Sequence, residues 1–106
     1  MKLIEMILSS ENVIKAQSRV TSNKGGAGID GMHVNELDEY MHSNWECIKE
    51  SILARQYKPA PVRRVEIPKP NGGFRKLGIP TVLDRTIQQA IVQVLSHLIR
   101  HSLKTN

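Results

Sequence analysis

PVRRVEIPKPNGGFRKLGIPTVLD, residues Pro61–Asp84, decides how the rest of the chain is read. Val62–Ile67 and Phe74–Ile79 are rich in β-branched and aromatic side chains at near period two, and Pro68-Lys69-Pro70-Asn71-Gly72-Gly73 between them supplies residues that tolerate positive φ. The pattern predicts a β-hairpin. A reversal near Gly72 would bring Lys69 and Arg75 almost opposite each other at its mouth, about 5 Å apart across the strands and within reach of one ligand. Arg63, Arg64 and Lys76 extend the positive charge along the ribbon. Pro68 and Pro70 flank Lys69 and withhold two N–H groups from the ladder, so the turn is expected to project as a rigid finger. A protruding cationic hairpin suits a polyanion, although Lys and Arg on a hairpin are more often just a solvated face.

Working outward, Pro80-Thr81 opens a long helix over 81–103, with Thr81 as its cap. Val82, Leu83, Ile87, Ala90, Ile91, Val94, Leu95 and Leu98 form a stripe too wide for the few other elements to cover, so this helix expects a partner. His97 and His101 are spaced i, i+4, yet no third metal ligand is near in sequence, and a packed or solvated pair is the better reading. On the N-terminal side, 34–57 carries the clearest amphipathic helix: Val34, Leu37, Met41, Trp45, Ile48 and Ile52 recur at three- and four-residue steps, and Tyr57-Lys58-Pro59-Ala60-Pro61 leads out of it. Residues 1–22 hold two short helices, the second capped by Ser9 or Ser10, with Val13, Ala16 and Val20 on one face. Between these helical parts, 23–33 is a loop with Gly25, Gly26, Gly28 and Gly31, whose backbone can approach a partner closely. It lacks the Lys-Ser/Thr ending of a P-loop and no strand precedes it, which excludes a nucleoside triphosphatase of that type. A plain helix-to-helix connector is the alternative for any single residue in it. The expected fold class is α+β: a helical N-terminal half, a protruding hairpin, then a long C-terminal helix, in one domain spanning 1–106.

Composition agrees with a small globular domain: 40% of the 106 residues are apolar and 24% charged. No apolar run approaches the roughly 18 residues of a membrane span, and MKLIEMILSS carries Glu5 inside a short apolar run, so neither a membrane nor a signal peptide is expected and a cytoplasmic location is. Cys47 is alone, which excludes an intrachain disulfide and a Cys-rich zinc module and makes a buried thiol the simplest expectation. The net charge of +5 is unevenly held: residues 1–54 have five Lys/Arg against eight Asp/Glu, and residues 55–106 have ten against two. The second half is therefore the candidate phosphate-binding surface. Tyr40, Trp45, Tyr57 and Phe74 are the only aromatics, which disfavours a base-stacking platform. No pair of carboxylates has the spacing of a catalytic dyad.

IPKPNGGFRKLGIPTVLDR, Ile67–Arg85, closely resembles the first sequence block of group II intron reverse transcriptases, in the fingers subdomain of a right-hand polymerase. NKGGAGIDG, Asn23–Gly31, resembles the block that precedes it in the same family, and the two stand in the right order at a fitting spacing. The resemblance implies that Lys69 and Arg75 bind the triphosphate of an incoming dNTP. It implies that Arg63, Arg64, Lys76 and the loop residues Lys24, Gly25, Gly26, Gly28 and Gly31 contact template or intron RNA. It also implies membership of the RNA-directed DNA polymerases, which are nucleotidyltransferases, with Mg²⁺ only in the complete polymerase. The metal-binding aspartates of the family's palm are not in this chain, so no catalytic residue and no cofactor is expected of it alone. The expectation is a fingers portion that needs palm and thumb domains. The alternatives are a free-standing, maturase-type RNA-binding module and a structural dimer built on the last helix.

Overall fold

A computed structural model describes residues 2–104, with side chains described over 2–101. The order of elements is helix α1 (Leu3–Ile7), helix α2 (Ser10–Asn23), a 3₁₀ turn (Val34–Glu36), helix α3 (Leu37–Leu53), strand β1 (Arg63–Pro68), strand β2 (Phe74–Ile79) and helix α4 (Val82–Lys104). The fold is α+β: helices, a two-stranded antiparallel hairpin, and a long C-terminal helix. Among the described residues no helix is long and apolar enough to cross a membrane.

Helix α2 is the hub because its apolar positions fall on one face. Val13 and Val20 join Leu37, Met41 and Ile48 of α3 and Val82 and Leu83 of α4 in one core cluster. Ala16, fully buried, joins Ala90 and Val94 of α4 and Ile7 and Leu8 at the N-terminus in a second. Ala16 and Ala90, one on each helix in the second cluster, let α2 and α4 approach closely there, and each fully buried Val or Leu of the core contributes roughly 1.5–3 kcal/mol. Polar ties fix the register. Ser9 caps α2 by accepting the Asn12 N–H, and the Asn12 side-chain amide donates to the carbonyls of Ile7 and Ala90 at 2.8 and 3.0 Å. Gln93 of α4 donates back to the Asn12 side-chain oxygen at 2.9 Å.

Three differences from the sequence-based expectation have local causes. Val34 lies in a 3₁₀ turn and not in α3, because Glu36 reaches back to the His33 N–H and the Glu36 N–H bonds the His33 carbonyl, closing a tight turn ahead of the helix. The helix stops at Leu53, four residues short of Tyr57. Arg55 takes φ +60°, its N–H meets the Ile52 carbonyl, and the Gln56 N–H meets the Ser51 carbonyl, which is the Schellman termination with arginine in the usual glycine place. Cys47, expected as a buried thiol, is exposed. Its neighbour Ile48 holds the core-facing position, and a step of about 100° per residue carries Cys47 off that stripe.

Candidate nucleic-acid interface

The hairpin is built as expected, with a different register at its mouth. The Gly72 N–H bonds the Lys69 carbonyl and the Lys69 N–H bonds the Gly73 carbonyl. Pro70 and Asn71 therefore occupy the centre of the turn, and Gly72 follows at φ +96°. The pairs are Arg63–Ile79, Arg64–Gly78, Val65–Leu77, Glu66–Lys76, Ile67–Arg75 and Pro68–Phe74. Arg75 thus opposes Ile67, and Lys69 opposes Gly73. Lys69 and Arg75 are diagonal neighbours on one face, not directly opposed, at the roughly 7–8 Å such pairs show. Both still line one open concavity of about 450 Å³ at the tip, with Ile67, Pro68, Pro70 and Asn71.

Period two sorts the five hairpin cations onto two faces. Arg63, Lys69 and Arg75 share the inner face with Val65, Ile67, Leu77 and Ile79. Arg64 and Lys76 share the outer face with Glu66, Pro68, Phe74 and Gly78. The inner face looks onto the glycine loop at its base, where a side-chain atom at Gly26 would lie 3.5 Å from the Arg63 guanidinium and 3.8 Å from the Ile79 side chain. Arg63 Nε donates to the Ala27 carbonyl at 2.9 Å, so this arginine is already engaged in holding the loop.

A second arginine, Arg85, has no site role in the sequence reading and proves to organise the same loop. From the first turns of α4 its guanidinium donates to the carbonyls of Lys24, at 3.4 Å, and Gly26. Arg85 stands in the block Ile67–Arg85, but a polar position on a helix carries no signal that it will reach 61 residues back in the chain. The loop glycines then divide by environment. Gly25 and Gly26 are exposed, with Gly25 at φ +85°. Gly28 is buried, and a Cβ there would stand 2.5 Å from Thr81 Cα and 2.7 Å from Thr81 N. Gly28→Ala is therefore expected to cost about 1–3 kcal/mol by overpacking against backbone, measured as a lowered urea midpoint. Gly31→Ala, with open space around it, meets no such wall, and its cost is the backbone strain of an L residue held at φ +76°.

Beneath this surface lies a polar hub. Asp84, 4% exposed, accepts hydrogen bonds from the Tyr57 hydroxyl, from the Ala60 N–H at 2.9 Å and from Thr81 Oγ1 at 3.0 Å. Thr81 caps α4 as expected, its Oγ1 accepting the Asp84 N–H at 3.1 Å. The hub pins the lead-in to β1 against the start of α4, which fixes where both ends of the hairpin leave the helical layer. Burial, together with the Asp84 carboxylate that accepts its proton, pushes the Tyr57 phenol well above the usual tyrosine range. The folded state therefore holds this proton more tightly than the unfolded chain. Its contribution to stability is complete below pH ~10, the ordinary tyrosine value, and is lost as pH rises beyond it. Tyr57→Phe is expected to flatten that alkaline loss, read as urea midpoints at about pH 9 and pH 11.

Asp84 is committed to this hub, and among the described residues no three His, Cys, Asp or Glu side chains gather as a metal site, His97 and His101 included. The residues beside Lys69 and Arg75 do not fit divalent-ion binding.

No protein-family model matches the chain. It is similar to Protein YkfC of Escherichia coli (strain K12), with 33% identity over 89% of this chain and 25% of the relative. It is similar to the group II intron-encoded protein LtrA of Lactococcus lactis subsp. cremoris, with 33% identity over 92% of this chain and 16% of the relative. A Saccharomyces cerevisiae protein named for intron 2 of COX1/OXI3 is 28% identical over 93% of this chain and 11% of its own length. The chain thus spans a quarter or less of these relatives. The resemblance read from the two sequence blocks is borne out: over nearly its whole length the chain is related to one segment of group II intron-encoded proteins.

Proposed function

We propose that this chain, a relative of group II intron-encoded proteins over one segment of their length, is the fingers portion of a reverse transcriptase/maturase. In this reading it contributes contacts to RNA and to the triphosphate of an incoming dNTP. The observation that carries it is the meeting of Lys69 and Arg75 on one face and in one concavity at the tip of a projecting hairpin. An ammonium acts as a point charge on phosphate and a guanidinium bridges two oxygens, so the pair suits a triphosphate better than either cation alone. Both would also favour charge that develops during phosphoryl transfer.

RNA contact is assigned to Arg64 and Lys76, to the exposed loop backbone at Lys24, Gly25, Gly26 and Gly31, and to the free edge of the Arg63 guanidinium. Gly28 serves the same surface from below by letting the loop lie on Thr81. The charge balance supports this. Asp84 is buried, which leaves Glu66 as the one exposed acid after residue 54. The chemistry needs carboxylates that bind Mg²⁺, and these belong to a palm. The outer stripe of α4 supports a covering partner, since Ile91, Val92, Leu95, Leu98 and Ile99 are 37–60% exposed. Palm and thumb domains are the proposed cover, with a second copy of the chain as the competing one.

The test is binding of labelled structured intron RNA at two salt concentrations, with duplex DNA as the control. Tight RNA binding that weakens steeply with salt, and whose slope falls by about 1 for each phosphate-contacting cation removed in Arg64→Ala and Lys76→Ala, is the expected result. RNA binding with no salt dependence, or none even at low salt, would count against the reading.

A further inference from the structure

Of the four aromatic residues, Tyr40, Trp45 and Tyr57 are partly buried against the helical core, while Phe74 is 66% exposed at the hairpin tip. Register puts Phe74 on the outer face, away from Lys69, Arg75 and the glycine loop. Along that face Lys76 follows two residues after Phe74, and Arg64 lies one further pair on, opposite Gly78. At roughly 3.4 Å per residue, ring and cations form a line about 14 Å long.

From this we infer that the outer face of the hairpin is a second binding surface, on which Phe74 stacks an unpaired base of single-stranded RNA while Lys76 and Arg64 hold its backbone. The inference rests on the proposed RNA-binding reading and adds to it a base contact on the face opposite the triphosphate pair. An aromatic ring offers a stacking plane to any base, and flanking cations track the phosphates. The line is longer than one nucleotide needs, which favours a strand over a free nucleotide. An apolar protein partner fits less well. Apart from Phe74 and Pro68 this face carries Arg64, Glu66, Lys76 and Gly78, and the apolar row Val65, Ile67, Leu77 and Ile79 is on the other side. Glu66, directly opposite Lys76, is the one unfavourable charge on the path. The low aromatic count weighed against a stacking platform, because a count does not register that one ring stands outside the core at the end of a line of cations.

The experiment uses the 106-residue chain and a single-stranded RNA decamer carrying 2-aminopurine, with an abasic decamer as control. Wild type is expected to quench the 2-aminopurine on binding. Phe74→Ala is expected to abolish the quench and weaken the base-bearing decamer roughly 5- to 100-fold while leaving the abasic one unchanged. Phe74→Tyr is expected to restore both, and Glu66→Gln to tighten both decamers a few-fold. Because Phe74 is exposed, its loss leaves the fold intact, checked by unchanged thermal unfolding. Equal weakening of both decamers, or none, in Phe74→Ala would overturn the stacking surface; if Arg64→Ala and Lys76→Ala still weakened binding, the RNA-binding reading would stand. Absence of binding by wild type at low salt would overturn both.

Discussion

Asp84→Ala is expected to unfold this domain at temperatures where the wild type is fully folded. The substitution leaves three donors, the Tyr57 hydroxyl, the Ala60 N–H and the Thr81 hydroxyl, without the acceptor they share in a buried site. Each unsatisfied group costs about 1–3 kcal/mol, and partial relaxation brings the total to about 3–5 kcal/mol. A domain of this size is stable by only about 5–15 kcal/mol. Thermal unfolding followed by circular dichroism should show a melting temperature at least ~12 °C lower, at about 4–8 °C per kcal/mol. Asp84→Asn separates the causes. It keeps one oxygen for Ala60 and Thr81 and offers an amide to the tyrosine oxygen, so it should recover more than half of the loss. If Asp84→Ala melted within ~3 °C of wild type, the hub would not be what holds the hairpin to α4.

Arg75→Ala in a complete polymerase carrying this segment should lower dNTP incorporation about 10²- to 10³-fold, the range for loss of one preorganised charge partner at a reacting centre. Arg75→Lys should recover only part of this, because an ammonium cannot bridge two phosphate oxygens. The side chain is exposed on a projecting hairpin, so the loss should appear in steady-state incorporation with an unchanged melting temperature. Lys69→Ala should act in the same direction, and the double variant should fall short of the sum, since both cations serve one concavity. Incorporation by Arg75→Ala at the wild-type rate would remove the triphosphate assignment.

Local signals carried much of this architecture. Alternating residues around Pro-Lys-Pro-Asn-Gly-Gly specify the hairpin, and Thr81 before an apolar run specifies the start of α4. Val13, Ala16 and Val20 lie on the buried face that their spacing predicts. Contacts between distant segments were not legible. Nothing near Tyr57 announces that it will meet Asp84, 27 residues on, although Thr81-Val82-Leu83-Asp84 has the spacing of a capping box and could have marked Asp84 as structural. Arg85 and Arg63 read as surface cations because their acceptors are backbone carbonyls, which every residue possesses. The division of the hairpin cations follows from period two and survives the shift of the turn from its expected centre near Gly72; what the sequence left open is which residues stand opposite, Arg75 facing Ile67 and not Lys69.

Of the twelve strand residues only Val65 and Ile79 are partly buried and the other ten are exposed, so the hairpin draws little support from the core. A two-stranded ribbon is marginal in isolation, and this one is held chiefly by its own ladder and by the polar ties at its base. Its amides should therefore exchange with solvent through sub-global opening, on a faster clock than those of α4, whose protection tracks unfolding of the whole domain. A ligand at the tip would slow that exchange, which gives the finger its own observable ordering step, and by mass action would also raise the melting transition of the domain.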